Sequence, residues 1–498
     1  MEKVHKLVDG LRSSSSHGSD LASLKLDDIP SKEKMQRVNQ MVSQLLNQTQ
    51  TNRRSGEFAT SLQGLVSSLL SLCDDPDADI RMGVDEQINL LIHDLREVCL
   101  PRFLSEFMRE VKSPQGKGRL KVALTKLGTL AEFIPYSKRH LYASNLVQGL
   151  QGMFSGAEGD EGAWEAVAGA LPALWGILGR FAAEADVKGL LAQLEEPLTS
   201  GSAPIRRSVA LILAELVCSK GPSLLPPFLH GAATPSTPEG VQGVLLAWKA
   251  LIAQPKWTAF CHSKFPFAKL QEHVISNQYV IQGVALELVL AVMSRLPSCD
   301  EQLQQVEGGS EFASSICSTV LSSYLMEDSA EDLPRLLPDS ASRVASKSTA
   351  TQILIQSPKA VMTNIPKRRS DALWELLSRH PDPQLRGLAA LGAAGFWSST
   401  TEDIRRRNDL LSKLMEDSSP MVHKQCLLAM SSFLPEAFVA DPFSRSDGLL
   451  LSTRTAHAAL FIRALRLFRY SPYWLVRVEL ISLCGNLHPH FIAASDGG

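Results

Sequence analysis

The chain has 498 residues, of which 44% are hydrophobic, 20% are charged and 6% are aromatic. Fifty Lys and Arg residues nearly balance 52 Asp and Glu residues, so the formal net charge is −2 and we expect no bulk electrostatic attraction to nucleic acid. The longest apolar runs, such as 209–217, are too short to span a bilayer, and no signal-peptide pattern opens the chain. We therefore expect a soluble, cytoplasmic protein with enough apolar material for an extended core.

Residues 1–12 predict a short amphipathic leader helix. Val4, Leu7, Val8 and Leu11 have the spacing i, i+3, i+4 and i+7, which places four apolar side chains on one stripe. A helix this short is marginal in water, so we expect it to fold on a membrane surface or in a partner's groove, as a weak and reversible contact. The alternatives are that it docks on the protein's own first repeat or makes no contact. Residues 13–31, which begin with four serines, predict a flexible linker.

After the linker, one pattern recurs at a period near 40 residues. An apolar residue, here called the starter, follows a turn that usually contains Asp, Ser or Pro and begins an amphipathic helix. Positions 4, 7, 8 and 11 after the starter are mostly apolar or small, a spacing that forms one stripe on a helix but scatters over both faces of a strand. The ten starters are Ile80, Leu120, Trp164, Ile205, Val241, Ile281, Val344, Leu385, Val422 and Val476. The sequence therefore predicts an all-α fold, a HEAT-repeat superhelical solenoid.

Breaks in this period predict the domain organisation. HEAT repeats occupy 32–297, and a step of 63 residues between Ile281 and Val344 leaves room for a loop at 298–311. Further repeats occupy 312–498 and are expected to continue beyond this chain. Three repeats are poorer copies of the pattern. The Trp164 and Val241 repeats keep only part of the stripe, and in the Val344 repeat Ser348 and Thr351 stand where apolar residues are expected.

A basic residue directly follows four of the starters. Arg81, Arg206, Arg386 and Arg477 occupy this position. Because they follow the repeat, we interpret them as structural ties to carboxylates or carbonyls of neighbouring helices. The alternative interpretation is a row that binds anions or nucleic acid.

No motif points to catalysis, to a cofactor or to a metal. The phosphate-loop, GxSxG, HExxH and kinase patterns are missing, and the eight cysteines form no CxxC pair, which favours reduced thiols. Cys261-His262 and the His488/His490 pair lack companions at zinc-site spacing. We therefore expect no enzyme, no cofactor and no bound metal.

Two short basic clusters are candidate nuclear-import or partner patches. They are Lys367, Arg368 and Arg369, and the three arginines at 405–407. The alternative is an ordinary solvated surface, which short basic clusters usually form.

Four stretches, in chain order, resemble the huntingtin family. They are 73–87 with 100–102 after it, 186–191 with 202–207, 380–387 and 471–480. The leader lies where that family has its own amphipathic leader. The chain departs from the family's best-known members because serines, and not a glutamine run and a proline-rich stretch, follow the leader.

The resemblance implies a non-enzymatic HEAT scaffold whose partners are proteins. These partners would include a huntingtin-associated helical-repeat protein and motor and vesicle adaptors, in vesicle and organelle transport along microtubules and in selective autophagy. A vesicle-associated fraction and a nuclear pool are further expectations. One alternative is a HEAT adaptor of the importin or phosphatase-regulatory type. Another, from a different class, is a HEAT protein that binds nucleic acid. The net charge of −2 argues against this second alternative, so we expect no nucleic-acid partner.

Overall fold

In the computed structural model the described part of the chain folds almost entirely into α-helices. The structure describes residues 30–47, 55–156, 160–229, 237–255, 265–276, 278–296, 309–326, 340–357, 367–397, 400–435 and 448–487. These residues contain no β-strand, which confirms the predicted all-α class. Across these ranges, no helix combines the length and the apolar character needed to cross a membrane. The chain divides into two compact units, Met1–Cys261 (unit 1) and His262–Gly498 (unit 2).

Unit 1 consists of two rows of helices. Its helices are α1 Ser31–Leu46, α2 Gly56–Leu72, α3 Ala78–Lys112, α4 Lys117–Ala131, α5 Arg139–Gly156, α6 Glu161–Leu178, α7 Glu184–Gln193, α8 Glu195–Ser200, α9 Ala203–Lys220 and α10 Pro238–Ala253. The helices that carry the starters pack side by side in the order α3, α4, α6, α9 and α10. In the second row α5 packs on α3 and α7 packs on α5.

Unit 2 repeats this arrangement. Its helices are α11 Phe267–Val274, α12 Tyr279–Met293, α13 Gly309–Val320, α14 Ser340–Gln356, α15 Lys367–Ser378, α16 Pro383–Phe396, α17 Thr401–Leu414, α18 Pro420–Ser431, α19 Gly448–Phe468 and α20 Trp474–Asn486. The starter helices pack in the order α12, α14, α16, α18 and α20. The second row includes α15, α17 and α19.

The predicted segment boundaries differ from the structure at three places. Residues 1–12 lie outside the described part of the chain, and Ser31, the last residue of the predicted linker, already begins α1. Helix α13 begins at Gly309, so the last three residues of the segment predicted as a loop at 298–311 are helical. The boundary between the compact units lies at 261/262, within the block predicted as continuous repeats over 32–297.

The apolar stripe that follows each starter forms the core. Val209 and Leu213 of α9 and Leu483 of α20 are fully buried, and Leu480 is 5% exposed, as predicted. Burial of one such side chain contributes about 1.5–3 kcal/mol, so each starter helix is held mainly by the stripe that it shares with its neighbours. Starters Val241 and Val344 are half-buried, whereas the other eight are buried.

The degenerate Val344 repeat keeps the helical packing because its polar residues are satisfied. Thr351 is fully buried, and its hydroxyl donates to the Lys347 carbonyl at 2.8 Å. Ser348 is 3% exposed and accepts a hydrogen bond from Gln384 of α16 at 2.8 Å. A buried polar group costs little when it is hydrogen-bonded, so this repeat tolerates hydroxyls where the others have aliphatic residues.

Helix α4 begins where the turn after α2 approaches it closely. The Gly118 amide donates to Asp74 Oδ1 at 2.6 Å. A Cβ atom at Gly118 would lie 2.1 Å from the Cys73 carbonyl oxygen, so a larger residue would force the two backbones apart. The short Gly-Lys-Gly segment therefore sets how closely two repeats pack.

Candidate protein-interaction surface

In six of the ten repeats, the side chain of the residue after the starter donates to a carbonyl in the turn before its own helix. The Arg81, Arg206, Arg386 and Arg477 side chains all donate to carbonyls four or five residues before their starters. The Gln282 and His423 side chains make the equivalent contact, although neither residue is an arginine as the sequence pattern predicted. The position thus requires a side chain that reaches a carbonyl, and Arg is one of several residues that can do so.

Two of these arginines also bind the next repeat. Arg386 donates to both carboxylate oxygens of Asp417, at 2.7 and 3.0 Å, and Arg206 donates to Gln242 at 2.5 Å. The hydrogen bonds from Arg386 lower the pKa of Asp417 and raise the pKa of Arg386. The predicted tie between repeats is therefore confirmed at these two positions. The hydrogen bonds found for Arg81 and Arg477 stay within their own turns.

A groove of about 500 Å³ lies across four consecutive starter helices of unit 2, and we call it the unit-2 groove. Its volume is in the range of cavities that hold small ligands or short peptide segments. Its wall is mostly apolar, with Tyr473 51%, Trp474 63% and Met421 50% exposed. The lining residues are Gln352 of α14, Gln384 and Leu388 of α16, Pro420, Met421, Lys424 and Gln425 of α18, and Tyr473, Trp474, Leu475 and Val476 at the start of α20.

The polar groups of the unit-2 groove are few. Three glutamines stand on the three successive starter helices α14, α16 and α18. Lys424 is the one charged residue among those that line the groove. Helices α18 and α20 both begin at the groove, and the side chains of their N-cap residues make no capping hydrogen bond. The beginnings of helices carry partial positive charge, so the groove favours negatively charged groups.

A second depression of about 560 Å³ lies on unit 1 across α4, α6 and α9. It is hollow because α6 presents Gly162, Ala166 and Gly169 there, residues with little or no side chain. Its one large apolar side chain is Leu211, which is 53% exposed. The lining also includes polar and charged residues, namely Lys117, Lys121, Thr125, Glu165 and Ser208.

The side chains of the predicted site residues lie outside the described part of the structure. Val4, Leu7, Val8 and Leu11 lie outside the described residues. Lys367, Arg368 and Arg369 form the first turn of α15, and the structure describes their backbone alone.

The cluster at 405–407 is not one solvated basic patch. Arg406 donates to Asp371 at 2.7 Å, and Arg405 lies 3.9 Å from Glu402. Arg407 is 2% exposed, lies over the ring of Phe433 at 3.7 Å, and reaches His457 Nε2 at 2.7 Å. Burial lowers the pKa of Arg407 to about 10. The alternative of a fully solvated surface is therefore wrong for Arg407.

The described thiols are packing residues. Cys73, Cys99, Cys218, Cys317 and Cys426 are buried and make no disulfide. Burial raises the pKa of Cys73 to about 12 and of Cys317 to about 11, which keeps both thiols protonated near neutral pH. Among the residues that the structure describes, no group of three or more His, Cys, Asp or Glu side chains could hold a metal.

Sequence reasoning missed the unit-2 groove, although a signal for it was present. Met421 and Leu475 stand directly before their starters, at a position that most other repeats fill with polar or small residues such as Asp79 and Gln384, although Val280 is a further apolar residue there. Trp474 comes one residue earlier. Large apolar residues in turns that precede a buried stripe indicate an exposed apolar surface.

Comparison with known proteins gives a relative for part of unit 1. A sequence profile described as Huntingtin, N-terminal HEAT 1, matches residues 69–220. Huntingtin from Takifugu rubripes is 35% identical over 162 residues, which cover 32% of this chain and 5% of that protein. The aligned part of the chain thus spans a small fraction of the length of this relative.

Among solved structures, yeast importin-beta has a similar fold. The TM-score is 0.58 at 13% sequence identity, and the alignment covers 99% of this chain and 58% of that one. Identity this low shows the fold alone. It confirms the predicted class, a helical-repeat fold of the HEAT type.

Proposed function

Because residues 69–220 form an N-terminal HEAT region of the huntingtin type, we propose that this chain is a non-enzymatic scaffold that binds several proteins. The observation that carries the proposal is the exposed apolar surface on the starter helices of unit 2. Met421, Tyr473 and Trp474 there are each at least half exposed. Exposed aromatic and Met side chains grouped in a concave site are typical of protein-binding surfaces. Stacked repeats offer many such surfaces along one chain.

The proposed cellular role is the organisation of vesicle and organelle transport along microtubules and of selective autophagy. The support for this role is the similarity to huntingtin over residues 69–220. The aligned region is 5% of the length of the Takifugu rubripes protein, so the proposal rests on a small shared part. The proposed partners are a helical-repeat protein that associates with huntingtin, and motor and vesicle adaptors. The proposed location is the cytoplasm, with a vesicle-associated fraction and a nuclear pool.

The leader would contribute the vesicle contact. Its four apolar residues form one stripe, and Lys3 and Lys6 lie off that stripe, where they would face lipid head groups. So few apolar and basic side chains support a reversible contact and not a stable anchor.

The test of the scaffold function is cross-linking mass spectrometry on the full chain, tagged and expressed in cells. We expect at least two different proteins cross-linked to separate helices of the same molecule, with microtubule motors or their adaptors among them. Capture of cargo carrying nuclear-import signals alone would favour an importin-type adaptor. Salt-sensitive retention on duplex DNA would favour the nucleic-acid-binding class.

A further inference from the structure

The unit-2 groove has a composition that selects one kind of ligand. We propose that it binds an extended acidic peptide segment of a partner protein, with an apolar side chain of the peptide against Trp474 and a carboxylate facing Lys424. This inference rests on the proposed scaffold function and names one binding site and its ligand chemistry.

The exposed apolar side chains of the groove include residues at one position of the repeat, directly before the starter. Met421 and Leu475 both stand one residue before their starters, Val422 and Val476. Met421 remains 50% exposed although α20 packs against α18, so a neighbouring helix does not cover this position. Ile481 differs, because it is 70% exposed while the equivalent Leu427 of α18 is fully buried. Ile481 lies seven residues after Trp474 on α20, so the two exposed side chains share one face of that helix, and this face continues beyond the groove.

The glutamines of the groove provide groups that match a peptide backbone. A glutamine amide both donates and accepts hydrogen bonds, as a peptide group does. The groove has one glutamine on each of three successive starter helices, so the glutamines form a row across the packed helices: Gln352, Gln384 and Gln425. The glutamine amide atoms that reach the groove can therefore hydrogen-bond to the backbone of an extended segment.

Charge selects an acidic segment. Lys424 is the one charged residue among those that line the groove, and the beginnings of α18 and α20 add partial positive charge. A basic segment would meet this charge without a compensating carboxylate from the lining residues. In the chain's own leader, Lys3, Lys6 and Arg12 outnumber Glu2 and Asp9, so its net charge is positive and disfavours it as the occupant.

The test uses the full chain and a fluorescein-labelled heptapeptide that alternates leucine and glutamate. Fluorescence anisotropy should show saturable binding to the unchanged protein, and no binding of the matched peptide with lysine in place of glutamate. Trp474→Ala and Lys424→Glu should each weaken binding at least tenfold, because they remove the aromatic contact and reverse the charge. Both side chains lie at the surface, so circular dichroism should show an unchanged helical signal.

Two matched substitutions provide the controls. Tyr470→Ala removes an aromatic side chain that is 80% exposed but does not line the groove, and Lys413→Glu reverses an exposed charge on α17. Both should leave the peptide affinity within twofold of the unchanged protein. Equal binding of the acidic and basic peptides, or full binding by the Trp474→Ala protein, would overturn the inference.

Other occupants have their own outcomes in the same experiment. Displacement of the acidic peptide by a peptide of residues 1–17 would identify the leader as the ligand and would refute a partner segment. A dimer in light scattering that Trp474→Ala dissolves would identify a second copy and would also refute it. If the acidic peptide does not bind but cross-linking still finds two partners on the chain, the inference fails while the scaffold function stands. If the peptide binds and no partners are found, the scaffold function fails.

Discussion

Acid should weaken unit 2 at one identifiable contact between α17 and α19. His457 of α19 is 3% exposed, lies against the ring of Phe433, and faces the guanidinium of Arg407 at 2.7 Å. Because Arg407 can only donate, the ring nitrogen of His457 must accept, which requires that the imidazole be neutral on that side. Burial, reinforced by the charge of Arg407, lowers the pKa of His457 to about 4.

The sign of the pH dependence follows from this pKa. An unfolded histidine titrates near 6.5, so between about pH 4 and pH 6.5 the unfolded chain binds more protons at this site than the folded chain does. Stability therefore falls as the pH is lowered through this window. A pKa that drops from 6.5 to about 4 corresponds to a free-energy difference of about 3 kcal/mol, fully lost once the pH is below 4.

Hydrogen exchange of the α17 and α19 backbone amides, measured between pH 4 and pH 7 and corrected for intrinsic rates, reports this contact locally. The opening free energy of both helices should fall by about 2–3 kcal/mol in the unchanged protein. The substitution His457→Gln keeps an acceptor for Arg407 but does not titrate, so it should remove most of that fall. The control His93→Gln changes an exposed histidine in unit 1 and should leave the fall in place. An unaltered pH dependence in the His457→Gln protein would refute this account.

Four further predictions test the core, a close contact, the leader and the metal content. Leu213→Ala, in the buried stripe of α9, should destabilise unit 1 by about 2–5 kcal/mol in urea unfolding, and a loss below about 1 kcal/mol would argue against the assigned burial. Gly118→Ala should lower the melting temperature, since its Cβ would lie 2.1 Å from the Cys73 carbonyl, whereas Gly56→Ala, with open space around the Cβ, should not. A peptide of residues 1–17 should gain helical signal on anionic vesicles, and Leu7→Asp should abolish that gain; an equal gain with Leu7→Asp would rule out the apolar stripe as the contact. Elemental analysis of the purified protein should find less than stoichiometric metal; about one zinc per chain would contradict this expectation.

The repeat architecture was predictable because it is encoded locally. The stripe after each starter gives a helix one apolar face, and a helix with one apolar face must pack on a neighbour. A regular period then makes each neighbour the next repeat, so the burial of Val209, Leu213, Leu480 and Leu483 followed from spacing alone. Arginine after the starter was also predictable as a structural contact.

The details of that contact were not predictable from residue type. His423 and Gln282 take the same role as the arginines because the requirement is geometric, namely reach to a carbonyl in the preceding turn. The cluster at 405–407 shows the converse. Its three arginines are neighbours in sequence, yet consecutive residues on a helix point about 100° apart, so one pairs with Asp371 while the next is buried.

By itself, the sequence determined that this protein is a helical-repeat array with buried stripes and structural ties, because the period and the 3.6-residue pattern act within about 40 residues. Only the tertiary structure decided which exposed residues meet. The unit-2 groove joins side chains from Gln352 to Val476, more than 120 positions apart in the sequence, through the packing of α14, α16, α18 and α20. Met421 and Leu475 are visible in the local pattern as apolar residues before their starters, but which residues they meet is not. That depends on the offset and angle between packed helices, which the side-chain volumes at each contact set.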